Sequence, residues 1–418
     1  MNYLRDTLNK HILTWGMMLC MTGLAAQDQA DFYTVSGIVK DKTTRKKLEY
    51  VNVSVPGTPV GTVTNEDGEF SLKIKKSAPA KAIEISHIGY KNYRQPVTGR
   101  DVTGATFYLD PQAAQLNEVI IHGQLAKNIV ASAIERIGVN YADKPNKLTC
   151  FYRETAQKGK RYITLSEAVI HTYKTPYTEN ADRDRVQLFK GRKLLSQKKN
   201  DTLAVKLLGG PSLAVYVDIV KNPDMLLDRE TLSYFVYTLE EPTTIDNRAQ
   251  YVISFVPQVL LPYPLYYGTL YIDKESLAFT RAEFSLDMTD RAKATQAILR
   301  KKPFGLRFKP GSVSFLVTYK QRNGKSYLNY IRNEVKFKCD WKRRLFSTNY
   351  TIVSELVVTE NSEQNISTIP YKAAFRQDQA LSDKVAAFYD AGFWGDYNII
   401  EPTESLESAV VKLKKQYK

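Results

Sequence analysis

The 418-residue sequence has few of the residues from which metal sites and nucleophilic active sites are built. It contains three cysteines and four histidines. His87, His122 and His171 are too far apart in sequence for a metal-ligand spacing. No Gly-x-Ser-x-Gly elbow and no phosphate-binding glycine loop occurs. We therefore predict a non-enzymatic protein that uses no metal and no other cofactor.

Long apolar runs are absent beyond the first residues, which excludes a membrane-spanning helix in the rest of the chain. Arg5 and Lys10 precede an apolar run from Ile12 to Leu24, and small residues at Ala25-Ala26 offer a cleavage site. This is the pattern of a secretory signal peptide over residues 1–26. Cys20 lacks the small preceding residue of a lipoprotein signal, so we expect cleavage without lipidation.

Acidic residues are fewer than basic ones. The sequence has 44 Asp and Glu but 59 Lys and Arg, which gives a net charge of +15. The basic residues cluster at 190–199, 300–309 and 336–344. Export and the lack of a nucleic-acid motif argue against a nucleic-acid partner. Attraction to anionic lipid, lipopolysaccharide or an acidic partner is one interpretation. Solvated lysines that only maintain solubility are the other, and the sequence leaves both open.

The N-terminal part shows the two-residue period of half-buried strands. Val51–Val55 and Phe70–Ile74 each alternate apolar and polar side chains. Between them, Asn65–Gly68 predicts a tight turn, in which Gly68 takes a positive φ and Asp67 hydrogen-bonds the turn backbone. A calcium loop would need further oxygen ligands that the sequence does not supply. About seven strands in roughly eighty residues predict a β-sandwich.

The order of these segments resembles a known family. Val-Ser-Gly-Ile-Val-Lys-Asp from Val35, Gly-Thr-Val-Thr-Asn-Glu-Asp-Gly-Glu-Phe-Ser-Leu from Gly61 and Ile-Ser-His-Ile-Gly-Tyr to Tyr90 resemble the carboxypeptidase-regulatory-like domain of Gram-negative envelope proteins, including TonB-dependent receptors. The resemblance implies a transthyretin-like β-sandwich over residues 31–112, located in the periplasm or at the outer membrane.

Gln115-Leu-Asn-Glu-Val-Ile-Ile-His-Gly123 resembles the segment that joins this domain to the receptor plug. We assign residues 113–123 to a linker or extra strand, because too few residues follow for a plug and a large barrel. A TonB-linked accessory protein stays an alternative.

The remaining chain predicts a large antiparallel sheet with a few helices. Apolar residues recur at helical spacing from Gln124 to about Tyr141, and long Val-, Ile-, Tyr- and Phe-rich segments follow as far as Thr359. Further helices are predicted from Asp201 to about Lys221, where Gly209-Gly210-Pro211 interrupts the helix, and near Ser382–Tyr389 and Ser405–Lys415. The fold class is thus mainly β with α: an N-terminal seven-stranded β-sandwich plus a large twisted antiparallel sheet backed by helices, with domains at 124–375 and 376–418. This arrangement resembles the lipoprotein-carrier architecture of the periplasm.

A tyrosine-rich turn supplies the candidate binding residues. Tyr263, Tyr266 and Tyr267 stand beside leucines and prolines in residues 260–267, and their apolar rings with polar tips suit contact with an apolar ligand. The alternative is a turn that packs over the core. We predict a binding or assembly module for a lipid, a lipoprotein or an outer-membrane partner, with peripheral membrane contact. A cavity lined by Tyr and Leu would favour the lipid. A hydrolase whose cleft gathers distant carboxylates is the competing class.

Two cysteines remain after signal-peptide cleavage, Cys150 and Cys339, and each continues an apolar strand face. An oxidising compartment permits a disulfide between them, provided that their Cα atoms lie within about 7 Å.

Overall fold

The computed structural model describes residues 31–112, 123–198, 201, 205–207, 210–341, 347–364, 366–376, 379–388, 390 and 392–416. The signal peptide predicted at 1–26 and nearly all of the linker predicted at 113–123 lie outside these residues. In the part of the chain that the structure describes, no helix is both long enough and apolar enough to cross a membrane.

Seven strands form the N-terminal module. They are β1 (Phe32–Asp41), β2 (Asn52–Ser54), β3 (Gly61–Val63), β4 (Glu69–Lys75), β5 (Ala82–Ser86), β6 (Tyr93–Pro96) and β7 (Val102–Leu109). One sheet has the order β4-β1-β7, with β1 and β7 parallel, and the other has the order β3-β2-β5-β6. Their apolar faces enclose a single core that includes Val53, Leu72 and Ile85. The predicted seven-stranded sandwich is confirmed.

The turn at residues 65–68 depends on one glycine and one asparagine. Gly68 has φ 72°, and a Cβ atom there would lie 2.9 Å from the carbonyl oxygen of Val39. Asn65 Oδ1 accepts hydrogen bonds from the backbone N–H groups of Asp67 and Glu69, both at 2.9 Å. The role predicted for Asp67 was therefore wrong, because the asparagine two residues earlier holds the turn. The Asp67 carboxylate instead accepts from the backbone N–H of Glu404 at 2.9 Å.

The rest of the chain builds an eleven-stranded sheet. Its strands are β8 (Asn146–Lys158), β9 (Arg161–Lys174), β10 (Arg185–Leu195), β12 (Phe235–Ile245), β13 (Arg248–Pro257), β14 (Tyr266–Asp273), β15 (Phe279–Leu286), β17 (Leu306–Arg322), β18 (Lys325–Trp341), β19 (Thr348–Ser362) and β20 (Ala386–Ala387). The order is β12-β13-β14-β15-β17-β18-β19-β8-β9-β10-β20, and only β10 and β20 run parallel. Two further strands, β11 (Lys206–Leu207) and β16 (Leu299–Lys301), pair separately. The predicted antiparallel sheet is confirmed.

Five helices accompany the sheets in the described residues. They are α1 (Gly123–Glu135), α2 (Ile137–Asn140), α3 (Pro211–Tyr216), α4 (Arg291–Ile298) and α5 (Glu404–Lys414). The α1 helix buries the apolar stripe that the sequence predicts, with Ala126, Val130 and Ala133 in the core. Thr403 caps α5 by accepting from the backbone N–H of Leu406 at 3.2 Å.

Two predicted helices are wrong in extent or in kind. From Asp201 to about Lys221, α3 is the only α-helix in the described residues, and β11, which pairs with β16, precedes it. Gly210 takes φ 93° just before α3, where the sequence predicts the interruption. Ser382–Tyr389 instead contains a 3-10 turn and strand β20, which adds to the edge of β10. Edge pairing in the sheet outweighs the local helical pattern there.

The two faces of the large sheet are covered differently. We call the face that bears Tyr152 and Phe284 the inner face. It forms one core with α1, with the segment that follows α3, and with the C-terminal residues Phe375 and Leu381. The opposite, outer face bears Phe151 and Tyr330 and packs against the N-terminal module and a C-terminal segment. Because side chains alternate along a strand, consecutive residues serve different cores.

Aromatic and polar contacts join the N-terminal module to the outer face. The Tyr50 ring stacks on Tyr330 at 5.8 Å between centroids. Lys320 Nζ lies 2.6 Å from Asp246 Oδ1 and 3.3 Å from Glu84 Oε1 of the module. The C-terminal segment at 392–402 lies against the same face. There the Asn398 side chain accepts from the backbone N–H of Lys73 in β4 at 2.7 Å and donates to the carbonyl of Lys73 at 3.0 Å. The module is therefore an integral part of the fold.

The predicted disulfide is wrong for this fold, because Cys150 and Cys339 are both buried free thiols. Strand β19 lies between their strands, with Thr348 opposite Cys339 and Val358 opposite Cys150. Ten residues along a strand span about 33 Å. That separation is far beyond the roughly 7 Å that a disulfide can bridge.

A candidate apolar binding site

An apolar cavity of about 240 Å³ lies on the inner face, between α4 and the sheet. Four neighbouring strands form its floor, α4 forms one wall, and the segment that follows α3 forms another. No charged side chain occurs among its lining residues, which are Tyr216, Val217, Asn222, Met225, Tyr266, Leu286, Ala297, Ile298, Val313, Phe315, Asn333 and Val335. The cavity can thus accept an apolar group without burying an ion.

Strand alternation places Tyr266 in this cavity. Tyr266 begins β14, directly after a loop that contains Pro262 and Pro264, and it pairs with Leu286 on β15. Its ring meets Phe284 and Phe315 edge-on, with centroids 5.5 and 6.0 Å away. Burial raises the pKa of Tyr266 to about 12, so its hydroxyl stays neutral at physiological pH.

The structure does not bring the three candidate tyrosines together. Tyr263 is 54% exposed in the loop, and Tyr267 is 46% exposed on the outer face. Of these three tyrosines, Tyr266 alone lines the cavity. The sequence pattern identified the strands that supply Leu286, Phe315 and Val335. Strand periodicity alone could not predict the cavity between these side chains and α4.

Sequence reasoning missed a buried polar cluster on the same side of the sheet. Asp218 is fully buried; its Oδ2 accepts from Lys174 Nζ at 2.8 Å and from the Tyr177 hydroxyl at 2.9 Å, and its Oδ1 accepts from the Tyr319 hydroxyl at 2.7 Å. Burial opposes the charged form of Lys174, but Asp218 and Asp184 outweigh burial and raise the pKa of Lys174. These residues are distant in sequence, so no local motif could have indicated them.

A larger, more polar cavity of about 590 Å³ lies on the other side of α3. Its lining includes Asp182, Asp184, Arg185, Arg376 and Tyr216, and Tyr216 also lines the apolar cavity. The sequence left open a hydrolase whose cleft gathers distant carboxylates. Asp184 and Asp218 are two such carboxylates, and both form ion pairs with Lys174. Within the described ranges, no three His, Cys, Asp or Glu side chains are grouped to hold a metal ion.

The three basic clusters have different surroundings. In the first, Arg192 is buried and pairs with Glu167 at 2.8 Å, so it belongs to the core rather than to a solvated surface. In the second, Lys301 and Lys302 are exposed, and Lys302 Nζ donates to the backbone carbonyl of Leu306 at 2.9 Å. In the third, Lys336 pairs with Glu334 at 2.5 Å. Residues 342–344 of that cluster lie outside the described residues.

Comparison with protein families assigns the N-terminal module. Residues 35–121 match the model of the CarboxypepD_reg-like domain. The module is a CarboxypepD_reg-like domain. A 140-residue segment is also 33% identical to the TonB-dependent receptor SusC of Bacteroides thetaiotaomicron, and this match covers 33% of the chain but 12% of the receptor. The chain thus matches about an eighth of its curated relative.

Two solved structures with similar chains come from Vibrio parahaemolyticus and Nitrosomonas europaea. One is a domain from Vibrio parahaemolyticus described as an outer membrane lipoprotein-sorting protein, 11% identical, covering 59% of this chain and 95% of its own, with a TM-score of 0.26. The other is a LolA superfamily protein from Nitrosomonas europaea, 14% identical, covering 60% and 97%, with a TM-score of 0.24. These TM-scores are too low to establish a common fold, and we infer no property of this chain from either structure.

Proposed function

We propose that this protein is a non-enzymatic binding module of the Gram-negative envelope that holds the acyl chain of a lipid or lipoprotein. The proposal rests on one observation: the cavity lined by Tyr266 has no charged residue in its lining. The CarboxypepD_reg-like domain and the resemblance to an outer-membrane receptor over part of the chain support the envelope location.

The size and lining of the cavity favour an acyl chain over a polar ligand. Its volume of about 240 Å³ exceeds the roughly 150 Å³ of an apolar cavity that binds benzene. Each methylene group moved from water into such a site contributes about 0.8 kcal/mol. The only polar groups in the lining are two tyrosine hydroxyls, two asparagine side chains and backbone atoms, which could orient a ligand but could not neutralise a charge.

Binding of a neutral apolar fluorophore tests the proposal. We expect N-phenyl-1-naphthylamine to bind with enhanced emission and to be displaced by 1-dodecanol, which carries an acyl-length chain without a charge. Ala297 is an exposed residue of α4 that borders the cavity. The substitution Ala297→Trp should therefore weaken fluorophore binding by about tenfold or more, because the indole takes up space at the entrance.

The matched control is Ala292→Trp, an exposed position on the same helix that does not line the cavity. This variant should bind the fluorophore like the wild type. Equal binding by wild type and Ala297→Trp, or no binding by either, would contradict the proposal. An outer-membrane protein as partner, the other prediction from the sequence, would then be the next hypothesis to test by crosslinking in the envelope.

A further inference from the structure

One polar side chain in the lining of the apolar cavity has an oxygen that accepts no hydrogen bond. Asn333 lines the cavity, and its Oδ1 atom is buried without a hydrogen-bond partner among the described residues. A buried amide oxygen that has lost water and gained no donor destabilises the fold. An unpaired acceptor beside a cavity therefore indicates that a bound molecule supplies the donor.

The strand registers explain why no neighbouring side chain supplies that donor. Asn333 of β18 lies opposite Phe315 of β17 on one side and opposite Ser354 of β19 on the other. The Phe315 ring stacks on Phe284 at 4.9 Å between centroids and has no polar hydrogen. The Ser354 hydroxyl does not donate to Asn333 Oδ1. The acceptor thus remains available to a ligand.

Asn333 also lies where the inner face changes from polar to aromatic. One row of paired residues crosses this face, and on the far side of Phe315 it continues with Phe284 of β15. Its polar half comprises Ser166 of β9, Glu154 of β8, Ser354 of β19 and Asn333. Since Tyr266 of β14 lies at the opposite end of the cavity floor, the cavity has a polar end at Asn333 and an aromatic end at Tyr266.

The rest of the lining determines which kind of donor the cavity accepts. No charged side chain lines it, so neither an ammonium group nor a carboxylate would be neutralised there. A hydroxyl group or an amide N–H donates a hydrogen bond without carrying a charge. The cavity therefore suits an apolar chain that bears one of these neutral donors.

We propose that the cavity selects acyl chains that carry a neutral hydrogen-bond donor, and that Asn333 is the residue that determines this selection. The ligand's O–H or N–H group donates to Asn333 Oδ1, and the chain extends over Val313 and Leu286 toward Tyr266. The inference rests on the proposed function, because it names the class of ligand that the same cavity holds.

Two matched pairs of ligands test the proposal in the wild-type protein. 1-Dodecanol and methyl undecyl ether have equal numbers of non-hydrogen atoms, as do N-methyldodecanamide and methyl dodecanoate, and only the first ligand of each pair has a donor. We expect the donor ligand to displace N-phenyl-1-naphthylamine with about tenfold higher affinity than its partner. The first pair tests a hydroxylated chain, and the second tests an N-acyl group.

The substitution Asn333→Leu removes the acceptor and keeps a side chain of similar size. The preference for the donor ligand should disappear, whereas methyl undecyl ether should bind at least as tightly as it binds the wild type. The ratio of the two displacement constants measures this change independently of the affinity for the fluorophore. Thermal unfolding should show no loss of stability, because leucine replaces an amide whose oxygen is unpaired.

Asn329→Leu is the matched control. Asn329 is also half-buried in β18, but it lies outside the cavity, and its Nδ2 donates to Thr318 Oγ1 at 3.2 Å. This variant should keep the wild-type preference. Equal affinities within both pairs in the wild type, as expected if a trapped water already donates to Asn333, would overturn the inference but leave the proposed function intact. So would a preference that persists in Asn333→Leu, whereas failure of the wild type to bind the fluorophore would overturn both.

Discussion

The inner and outer faces of the large sheet use the same strands in contrasting ways. The inner face is a broad apolar core into which one buried ion cluster is set, with Asp218 at its centre. The outer face has a smaller apolar core around Tyr330 and its own buried ion cluster, in which Glu167 pairs with Arg153 at 2.7 Å and with Arg192 at 2.8 Å. It contacts the N-terminal module through more exposed ion pairs, such as Arg332 with Glu66 at 3.0 Å. The comparison teaches that both faces bury apolar side chains and ion pairs, whereas the apolar cavity lies on the inner face and the contacts with the module lie on the outer face.

Removing the central carboxylate of the inner face should have the largest effect. Asp218→Asn keeps the side-chain shape but leaves the buried Lys174 with Asp184 alone, at 3.5 Å. We expect a loss of about 3 to 5 kcal/mol in the free energy of unfolding, because breaking a buried ion pair leaves a buried charge without its partner. Urea unfolding measures the loss.

Asp224→Asn is the control, since Asp224 is exposed in the same segment, and its effect should stay within about 0.5 kcal/mol. Similar losses in the two variants would mean that the inner cluster contributes no more than a surface charge.

Adjacent tyrosines sharpen the comparison between the faces. Tyr266→Ala removes a ring packed against Phe284 and Phe315 on the inner face and should cost about 3 kcal/mol. Tyr267→Ala removes a ring that is 46% exposed on the outer face and should cost less than about 1 kcal/mol. Thermal and urea unfolding of both variants gives the difference, and equal costs would refute the assignment of these residues to opposite environments.

His87 directly follows β5 of the N-terminal module, near Arg281 of the large sheet, and should make the stability of the fold depend on pH. Burial, together with the positive charge of Arg281, lowers the pKa of His87 to about 3. An unfolded-state pKa of about 6.5 means that the unfolded chain binds the extra proton first, so this contribution to stability is complete above pH 6.5 and is lost as the pH falls toward 3. Wild type should lose up to about 2 kcal/mol more than His87→Gln between pH 6.5 and 5, at about 1.4 kcal/mol per pH unit. Parallel urea titrations at the two pH values decide this, and identical losses would show that His87 stays accessible to protons.

Sequence patterns predicted well those elements whose burial is local. The alternation in Phe70–Ile74 and the helical spacing after Gln124 both reappear as buried faces of β4 and α1. Prediction failed at Ser382–Tyr389, where a helical pattern yields to pairing with the exposed edge of β10. It failed also at Cys150 and Cys339, whose apolar alternation carries no information on how many strands separate them.

The sequence by itself determined the CarboxypepD_reg-like module, the strand-rich character of the remainder and its excess positive charge, because each depends on residue type and local spacing. Only the tertiary structure decided that Tyr266 enters a cavity while Tyr263 and Tyr267 remain exposed. It also decided that Lys174, Tyr177 and Tyr319 converge on Asp218. The physical reason is that strand order and the placement of α3 and α4 arise from long-range packing, which the two-residue period of a strand does not encode.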